Sequence, residues 1–314
     1  MDTGYVNQRY NRKTVVISID LGSNTLRLIE YDGVFWGKSF EKIVRTAEGL
    51  NQTHNIGKLA LERVLNGLYE AKKTIDFTAH EVVAITTAAM RMADNSEEIL
   101  EEIRQKTGIN FRIINGDEEA RLTLMAVQNR LNMLNLSSNE LILIDIGGGS
   151  TEVVVVSKNK IVSKSFPLGI VTLSERSQTS ETMDHELEFY REKIALYIQS
   201  LALESTPKTL VLTAGTPTTI AAYLLGMDYQ TYDANRINGT LLKRSDCTRV
   251  LNELLEMDEA TRSRYVGVGR EQLIVVGIQI VEMMFDAFAL NNAIVIDDGL
   301  REGVALEYFN SKKL

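Results

Sequence analysis

Hydrophobic positions along the chain change period repeatedly, and the changes mark the elements. Runs rich in β-branched residues predict strands over 14–21, 25–31 and 34–44. Apolar residues spaced i, i+3 and i+4, among them Leu59, Val64, Leu65, Leu68 and Tyr69, predict a helix over 57–75. Strand 82–86, helix 95–106, strand 111–114 and helix 117–134 complete the first half. The order then restarts, with strands 140–146, 151–157 and 160–167, a short helix near 170, helix 183–203, strand 209–213, helix 217–224, further helices, strand 293–296 and helix 299–309. Three strands followed by alternating helix and strand, performed twice, predict an α/β protein of two βββαβα lobes, each a mixed sheet with helices on both faces. We place the first lobe at 1–132 and the second at 133–314, with a cleft between them and a hinge near 128–139.

Each half begins with the same short motif. Ile19-Asp20-Leu21-Gly22-Ser23-Asn24-Thr25-Leu26-Arg27 and Ile144-Asp145-Ile146-Gly147-Gly148-Gly149-Ser150-Thr151-Glu152 each close a strand on an aspartate, turn through glycine and small hydroxyl residues, and start a second strand. Arg27 and Glu152 stand equally far beyond the two aspartates. Glycines let the backbone approach an anion closely and reach positive φ in the turn, so that successive N–H groups converge on phosphate oxygens. A carboxylate at each strand end suits a hard cation such as Mg²⁺. Neither glycine pattern is GxxxxGK[ST], nor GxGxxG followed by a helix, which excludes the P-loop and Rossmann readings. A plain hairpin turn explains one copy equally well. Two copies in register, each with an acid at the strand end, point to phosphate.

Composition narrows the setting. A chain of 314 residues, 44% hydrophobic, is long enough for two domains with cores of their own. No apolar run approaches a membrane span, and Met1 to Lys13 is polar with no apolar core of a signal peptide, so a cytoplasmic, soluble protein is expected. The single cysteine, Cys247, sits in a helical pattern and reads as a small buried apolar residue. With only His54, His80 and His185 there is no Cys/His cluster for zinc. The net charge of −8 argues against a nucleic-acid polymer as partner but leaves room for an anionic small molecule or polymer held by Mg²⁺ and a local basic groove. Three prolines and no Ser/Gly-rich run leave no flexible linker, so the lobes are expected to pack directly together.

The duplicated lobes, with one Asp-Gly loop each, look like the actin, sugar-kinase and Hsp70 ATPase superfold, in which phosphates sit between the lobes. Further motifs narrow the resemblance. They are Ile114-Asn115-Gly116-Asp117-Glu118-Glu119-Ala120-Arg121-Leu122, Thr86-Thr87-Ala88-Ala89-Met90-Arg91, Pro167-Leu168-Gly169-Ile170-Val171, Ala214-Gly215-Thr216-Pro217-Thr218-Thr219 and Asp298-Gly299-Leu300-Arg301-Glu302-Gly303. With the second phosphate loop, they make a set that resembles the exopolyphosphatase and guanosine pentaphosphate phosphohydrolase family over nearly the whole chain.

The resemblance implies Glu119 as the catalytic glutamate, Asp145 and Glu152 as metal-binding and water-orienting acids, and Arg27 and Arg91 as phosphate-contacting arginines. Gly22, Ser23, Asn24, Gly147, Gly148, Gly149 and Ser150 would bind phosphate through the two loops. Gly215 and Thr216 join them if the amides of their strand-to-helix turn bind an anion. Thr216 as helix N-cap with Pro217 at the first helical position explains the same residues. Asp117 and Glu118 suit a helix first turn, and Asp20 is either a further acid in the cleft or a turn-setting residue. Arg301 reads as solvated or interlobe, and Arg270 carries a weaker signal still. The implied cofactor is Mg²⁺, the implied substrate is inorganic polyphosphate or guanosine pentaphosphate, and a homodimer is the oligomeric expectation. Long members of the family add a C-terminal helical domain that the sequence to Leu314 lacks, so a short polyphosphate or the nucleotide is as good a substrate expectation as a long polymer. From the loops alone, a sugar or acid kinase and a nucleotide-switched chaperone-like module stay open. Glu119 together with Glu152 favours hydrolysis, because a kinase would instead use an aspartate base near a sugar pocket.

Overall fold

The computed structural model describes residues 14–158, 160–177 and 179–312, so the polar segment Met1 to Lys13 lies outside it. In the first half β1 (Val16–Leu21), β2 (Thr25–Tyr31) and β3 (Trp36–Ile43) form a meander, followed by α1 (Leu50–Thr53), α2 (Lys58–Thr74), β4 (Glu81–Thr86), α3 (Ala88–Met92), α4 (Ser96–Thr107), β5 (Phe111–Ile113) and α5 (Gly116–Met133). The second half repeats the plan with β6 (Leu141–Ile146), β7 (Thr151–Ser157), β8 (Lys160–Phe166), α6 (Ile170–Arg176), α7 (Ser180–Ser200), β9 (Leu210–Thr213) and α8 (Gly215–Leu224). It then adds α9 (Ala234–Ile237), β10 (Thr240–Lys243), α10 (Arg244–Glu256), α11 (Glu259–Val266) and α12 (Leu273–Phe288) before β11 (Asn292–Val295) and α13 (Leu300–Ser311).

The two sheets are copies. One runs β3-β2-β1-β4-β5 and the other β8-β7-β6-β9-β11, with β10 added at its edge. In both, the first three strands are antiparallel and the fourth lies parallel to the first. Parallel neighbours need a crossover, and the helices that provide it cover the sheet faces. This is the mixed α/β architecture of the actin-like superfold that the restarting strand pattern predicts.

The stripe expected on α2 needs one correction. Ala60, Leu61, Val64, Leu65, Leu68 and Ala71 are buried, whereas Leu59 and Tyr69 are exposed. At about 100° per residue, those two lie about 140° around the helix from Val64, off the buried face. Cys247 is buried on α10 as expected, and burial pushes its thiol up to about 12.

Two helices cross between the sheets. Ala120, Leu124, Val127 and Leu131 of α5 pack on Leu141, Leu143, Val154 and Val156 of the second sheet. Leu300 and Val304 of α13 pack with Ile85 of the first sheet, and Ala305 with Val16 and Tyr31. The boundary drawn at 132/133 thus falls at the end of a helix whose apolar face belongs to the second core. The stretch 128–139 is one of two connections between the halves, α13 supplying the other.

The crossing helices meet at a glycine: a Cβ built on Gly303 would lie 2.0 Å from the Leu122 carbonyl oxygen. A backbone atom cannot rotate away as a side chain can, so Gly303→Ala must push α13 off α5. We expect a loss of about 1–3 kcal/mol, the usual cost of overpacking, measured as a lower midpoint in urea unfolding. An unchanged midpoint would mean the helices have room.

Candidate active site

The two loops have the same local structure. Gly22 N–H donates to the Thr25 carbonyl at 3.0 Å, and Gly147 N–H donates to the Ser150 carbonyl at 2.9 Å. Strand register makes Asp20 the direct partner of Arg27 and Asp145 the direct partner of Glu152. Gly147, Gly148 and Gly149 are there for closeness and not, as expected, for positive φ; neither they nor Gly22 are left-handed. The loops touch each other. A Cβ on Gly148 would lie 2.9 Å from Ser23 Cβ, and one on Gly149 would lie 2.7 Å from Ser23 Oγ. Ile170 and Val171 at the start of α6 donate their amides to the carbonyls of Gly147 and Gly148 at 3.0 and 2.9 Å, fixing the second loop from behind.

Between the loops lies a narrow cleft. Asp20, Gly22, Ser23, Asn24, Arg27, Glu119, Asp145, Gly147, Gly148, Gly149, Ser150 and Gly215 line it. Glu119 is placed by α5, whose N-cap Asn115 accepts the Glu118 amide at 2.8 Å and starts the helix one turn below the site. Arg91 Nη1 donates to Glu119 Oε2 and to the Ile114 carbonyl, both at 2.7 Å, so the arginine ties the carboxylate to the strand end. Glu152 is buried behind, accepting from Ser150 Oγ at 2.8 Å and Ser165 Oγ at 2.7 Å. Thr123 Oγ1 donates to Asp145 at 3.1 Å.

These acids hold their protons unusually tightly. Burial and then Glu152 push Glu119 well above the usual carboxylate range, against the pull of Arg91. Burial and then Asp145 push Glu152 up to about 7. Burial also raises Asp20 to about 7, with Arg27 opposing, and raises Asp145.

Three predicted site residues stand back from the cleft surface. Arg91 and Glu152 act on it through Glu119 and the second loop, and Thr216 is buried with no hydrogen-bond partner for Oγ1. Thr216 is not the N-cap either. The N-cap of α8 is Ala214, at φ 76° and ψ −177°, a conformation that glycine tolerates and alanine holds only under strain.

Three further side chains stand at the cleft or directly behind its lining. Arg270, in Gly267-Val268-Gly269-Arg270, is buried and lines it, its Nη2 2.6 Å from where a Gly215 Cβ would sit. The two glycines just before it are the signal that the sequence offers, and both stand at positive φ, +86° and +85°. Arg301 is not solvated: its Nε donates to Glu302 Oε1 at 2.5 Å and its Nη2 lies 3.6 Å from Asp297, with 14% of the side chain exposed. Glu41 lies 3.2 Å from Arg27 Nε.

Two buried oxygens, Asp20 Oδ1 and Asn24 Oδ1, have no hydrogen-bond partner. Among the described residues no three His, Cys, Asp or Glu side chains form a ready-made metal cluster. Orphaned oxygens beside carboxylates held out of water fit a cation that completes its shell with water and substrate oxygens, as Mg²⁺ does.

Two actin-like lobes meeting in a cleft of glycine loops, arginines and buried carboxylates define a phosphoryl-transfer enzyme. The match to the model of the Ppx/GppA phosphatase family covers residues 38–312. Exopolyphosphatase 1 of Mycobacterium tuberculosis is 28% identical, with 94% of this chain and 88% of that protein aligned. A guanosine-5'-triphosphate,3'-diphosphate pyrophosphatase of Aliivibrio fischeri is 24% identical over 91% of this chain and 58% of its own length. The crystal structure of the Aquifex aeolicus Ppx/GppA family member superposes with a TM-score of 0.74 at 29% identity, covering 96% of this chain and 99% of that one. An exopolyphosphatase from Cytophaga hutchinsonii shares the fold, with a TM-score of 0.83 at 23% identity over 95% and 98% of the two chains. This chain belongs to the Ppx/GppA phosphatase family, and it is a hydrolase.

The raised Glu152 has a consequence for stability. A carboxyl whose folded pKa lies above its unfolded value binds more protons folded than unfolded between the two, so stability falls as pH rises from about 4.5 to about 7. Glu152→Gln removes that penalty, and its amide can still meet the hydroxyls of Ser150 and Ser165. Without metal or substrate, we expect the variant to unfold at the same temperature as the wild type near pH 4.5 and to gain about 1–3 kcal/mol over it by pH 8. A gap that does not change with pH would contradict the assignment.

Proposed function

We propose that the chain is a Mg²⁺-dependent phosphohydrolase that releases the terminal phosphate of inorganic polyphosphate or converts guanosine pentaphosphate to the tetraphosphate, working in the cytoplasm. The observation that carries this is Glu119: a buried carboxylate at the cleft wall, held by Arg91 at 2.7 Å, whose hold on a proton is raised above the usual carboxylate range by burial and by Glu152. The names of the relatives, exopolyphosphatase and guanosine pentaphosphate pyrophosphatase, support the substrate class.

In this reading a water beside Glu119 attacks the terminal phosphorus. Its oxygen forms the new bond as its proton passes to Glu119, and the bond from that phosphorus to the bridging oxygen breaks. Orthophosphate and a chain shorter by one phosphate, carrying the former bridging oxygen, are left. Arg27 and Arg270 draw the phosphate oxygens, the planar fork matching them two at a time. Loop amides at Gly22–Asn24 and Gly147–Ser150 supply further donors, and Arg91, behind the cleft surface, orients Glu119 and adds positive charge toward the terminal phosphate. Asp145, with Asp20 and Glu152, would hold Mg²⁺ directly or through its waters. When bound, the ion would neutralise charge on the phosphate oxygens. The kinase alternative needs a hydroxyl acceptor and an aspartate base near a sugar pocket, whereas the carboxylate that Arg91 holds at the cleft wall is the glutamate Glu119.

Phosphate release from tripolyphosphate, long polyphosphate, guanosine pentaphosphate and ATP, with and without Mg²⁺, tests the reading. We expect release from the first three that stops on chelation. Glu119→Gln should keep KM and lose about 10²- to 10⁴-fold in kcat, the usual size of general-base catalysis. A variant retaining more than half of wild-type kcat would remove Glu119 from the mechanism. In a Mg²⁺ titration of activity, Asp145→Asn should raise the midpoint, and an unmoved midpoint would leave the acid without its metal role.

A further inference from the structure

A short segment after β3 ties the first phosphate loop to two cleft-facing parts of the second half. At its start the Asn24 carbonyl accepts the amides of Val44 and Arg45, both at 2.9 Å, and the Ser23 carbonyl accepts the Ala47 amide at 2.8 Å. Farther along, Gly49 N–H donates to Glu175 Oε1 at 2.8 Å, and Asn51 Nδ2 donates to Glu175 Oε2 and to the Thr172 carbonyl, both at 3.2 Å. Thr172 and Glu175 belong to α6, whose first amides hold the second loop. Between these anchorages Arg45 Nη2 donates to the Gly269 carbonyl at 2.6 Å. Arg45 therefore holds the first loop with its backbone and the second half with its side chain.

The carbonyl that Arg45 takes belongs to the residue just before Arg270. Gly267 to Arg270 is a turn, closed by Arg270 N–H on the Gly267 carbonyl at 3.2 Å and steadied by Gly269 N–H on Glu271 Oε1 at 2.8 Å. The Arg270 guanidinium makes no hydrogen bond or ion pair with another described residue, so its aim into the cleft is set by this turn and by packing along its stem. Arg45 is firmly held in its turn. It stands at φ 47°, a strained shape for a residue with a Cβ, and such shapes persist where the surroundings over-determine them. Arg63 helps to do so, donating Nε to the Val44 carbonyl at 2.8 Å and Nη2 to the Arg45 carbonyl at 3.2 Å. Arg45 itself is not part of the cleft lining.

Taking the site as a terminal phosphohydrolase that sets Arg270 on phosphate, we infer that Arg45 is a positioning residue: it fixes the Gly269 carbonyl, and with it Arg270, in register with the first phosphate loop, so that loop amides and guanidinium meet the same phosphate group. Hydrogen bonds from a charged donor are the short and strong ones. A misplacement of about 1 Å in a group that holds substrate costs up to about 10²-fold in rate. Arg45 does for the cation what Arg91 does for the proposed base: each fixes a group that faces the substrate from behind the cleft surface.

The test is whether Arg45 matters only while Arg270 is there, which a merely structural role would not produce. Arg45→Ala is made in the wild type and in Arg270→Ala, and kcat/KM is measured on tripolyphosphate or guanosine pentaphosphate, whichever is the faster substrate, at enzyme concentrations high enough to follow the Arg270→Ala proteins. We expect Arg45→Ala to cost about tenfold in the wild-type background and less than about twofold in the other, the non-additivity of two residues that act as one. Arg45→Lys keeps the charge beside Glu48 and covers the case in which Arg45→Ala folds poorly. Its single ammonium replaces an aligned fork, and we expect a loss of about threefold, again confined to protein that carries Arg270. In the variant that folds, a loss of equal size in both backgrounds, or no loss with Arg270 present, overturns the inference while leaving the hydrolase reading in place. A wild-type protein that hydrolyses neither substrate overturns both.

Discussion

Four carboxylates, those of Asp20, Glu119, Asp145 and Glu152, are gathered around one cleft; burial raises each above its ordinary range, and repulsion from a neighbouring carboxylate adds to it for Asp20, Glu119 and Glu152. An arrangement of this kind costs stability, and a chain that keeps it must supply the compensation elsewhere. Part comes from fixed partners: Arg91 on Glu119, two serine hydroxyls on Glu152 and a threonine on Asp145. The buried oxygens of Asp20 and Asn24 have no partner in the protein, and the proposed cation and substrate would supply one. The same burial and repulsion that cost the empty protein stability strengthen the hold of Glu119 on a proton.

The rest of the molecule serves to hold those groups together. Each aspartate ends a buried central strand, and each loop turns on one backbone hydrogen bond of nearly equal length. The loops come from different sheets and still touch through Gly148, Gly149 and Ser23, a closeness that any side chain at either glycine would prevent. Helices α5 and α13 cross in opposite senses, each packing on the other half's sheet, and α5 carries Glu119 at its start. A shift of one lobe against the other therefore moves the proposed base relative to the first loop.

Much of this was legible in the chain, because local rules and the duplication agreed. The strand pattern restarts, the loops repeat in register, and Asn115 followed by Asp117, Glu118 and Glu119 marks a helix start. What was hidden depended on non-local geometry. Counting back from the hairpin turn pairs Arg27 with Phe40, but a bulge between Ile29 and Tyr31 shifts the register by one and brings Glu41 opposite instead. Arg270 and Arg301 lie far along the chain from the loops, in segments whose burial follows from how α12 and α13 pack. Thr216 reads as a helix cap because threonine and proline usually take those positions. Here the strained Ala214 takes the cap, and Gly277 packs so closely that a Cβ there would lie 2.2 Å from Thr216 Oγ1.

The central claim is that water, activated at Glu119, attacks the terminal phosphorus. The most direct measurement is hydrolysis of tripolyphosphate in ¹⁸O-labelled water, with mass analysis of both products. The account predicts one labelled oxygen in each released orthophosphate and none in the pyrophosphate left behind. Label in the pyrophosphate, or phosphate passing to a hydroxyl acceptor without label, would contradict it.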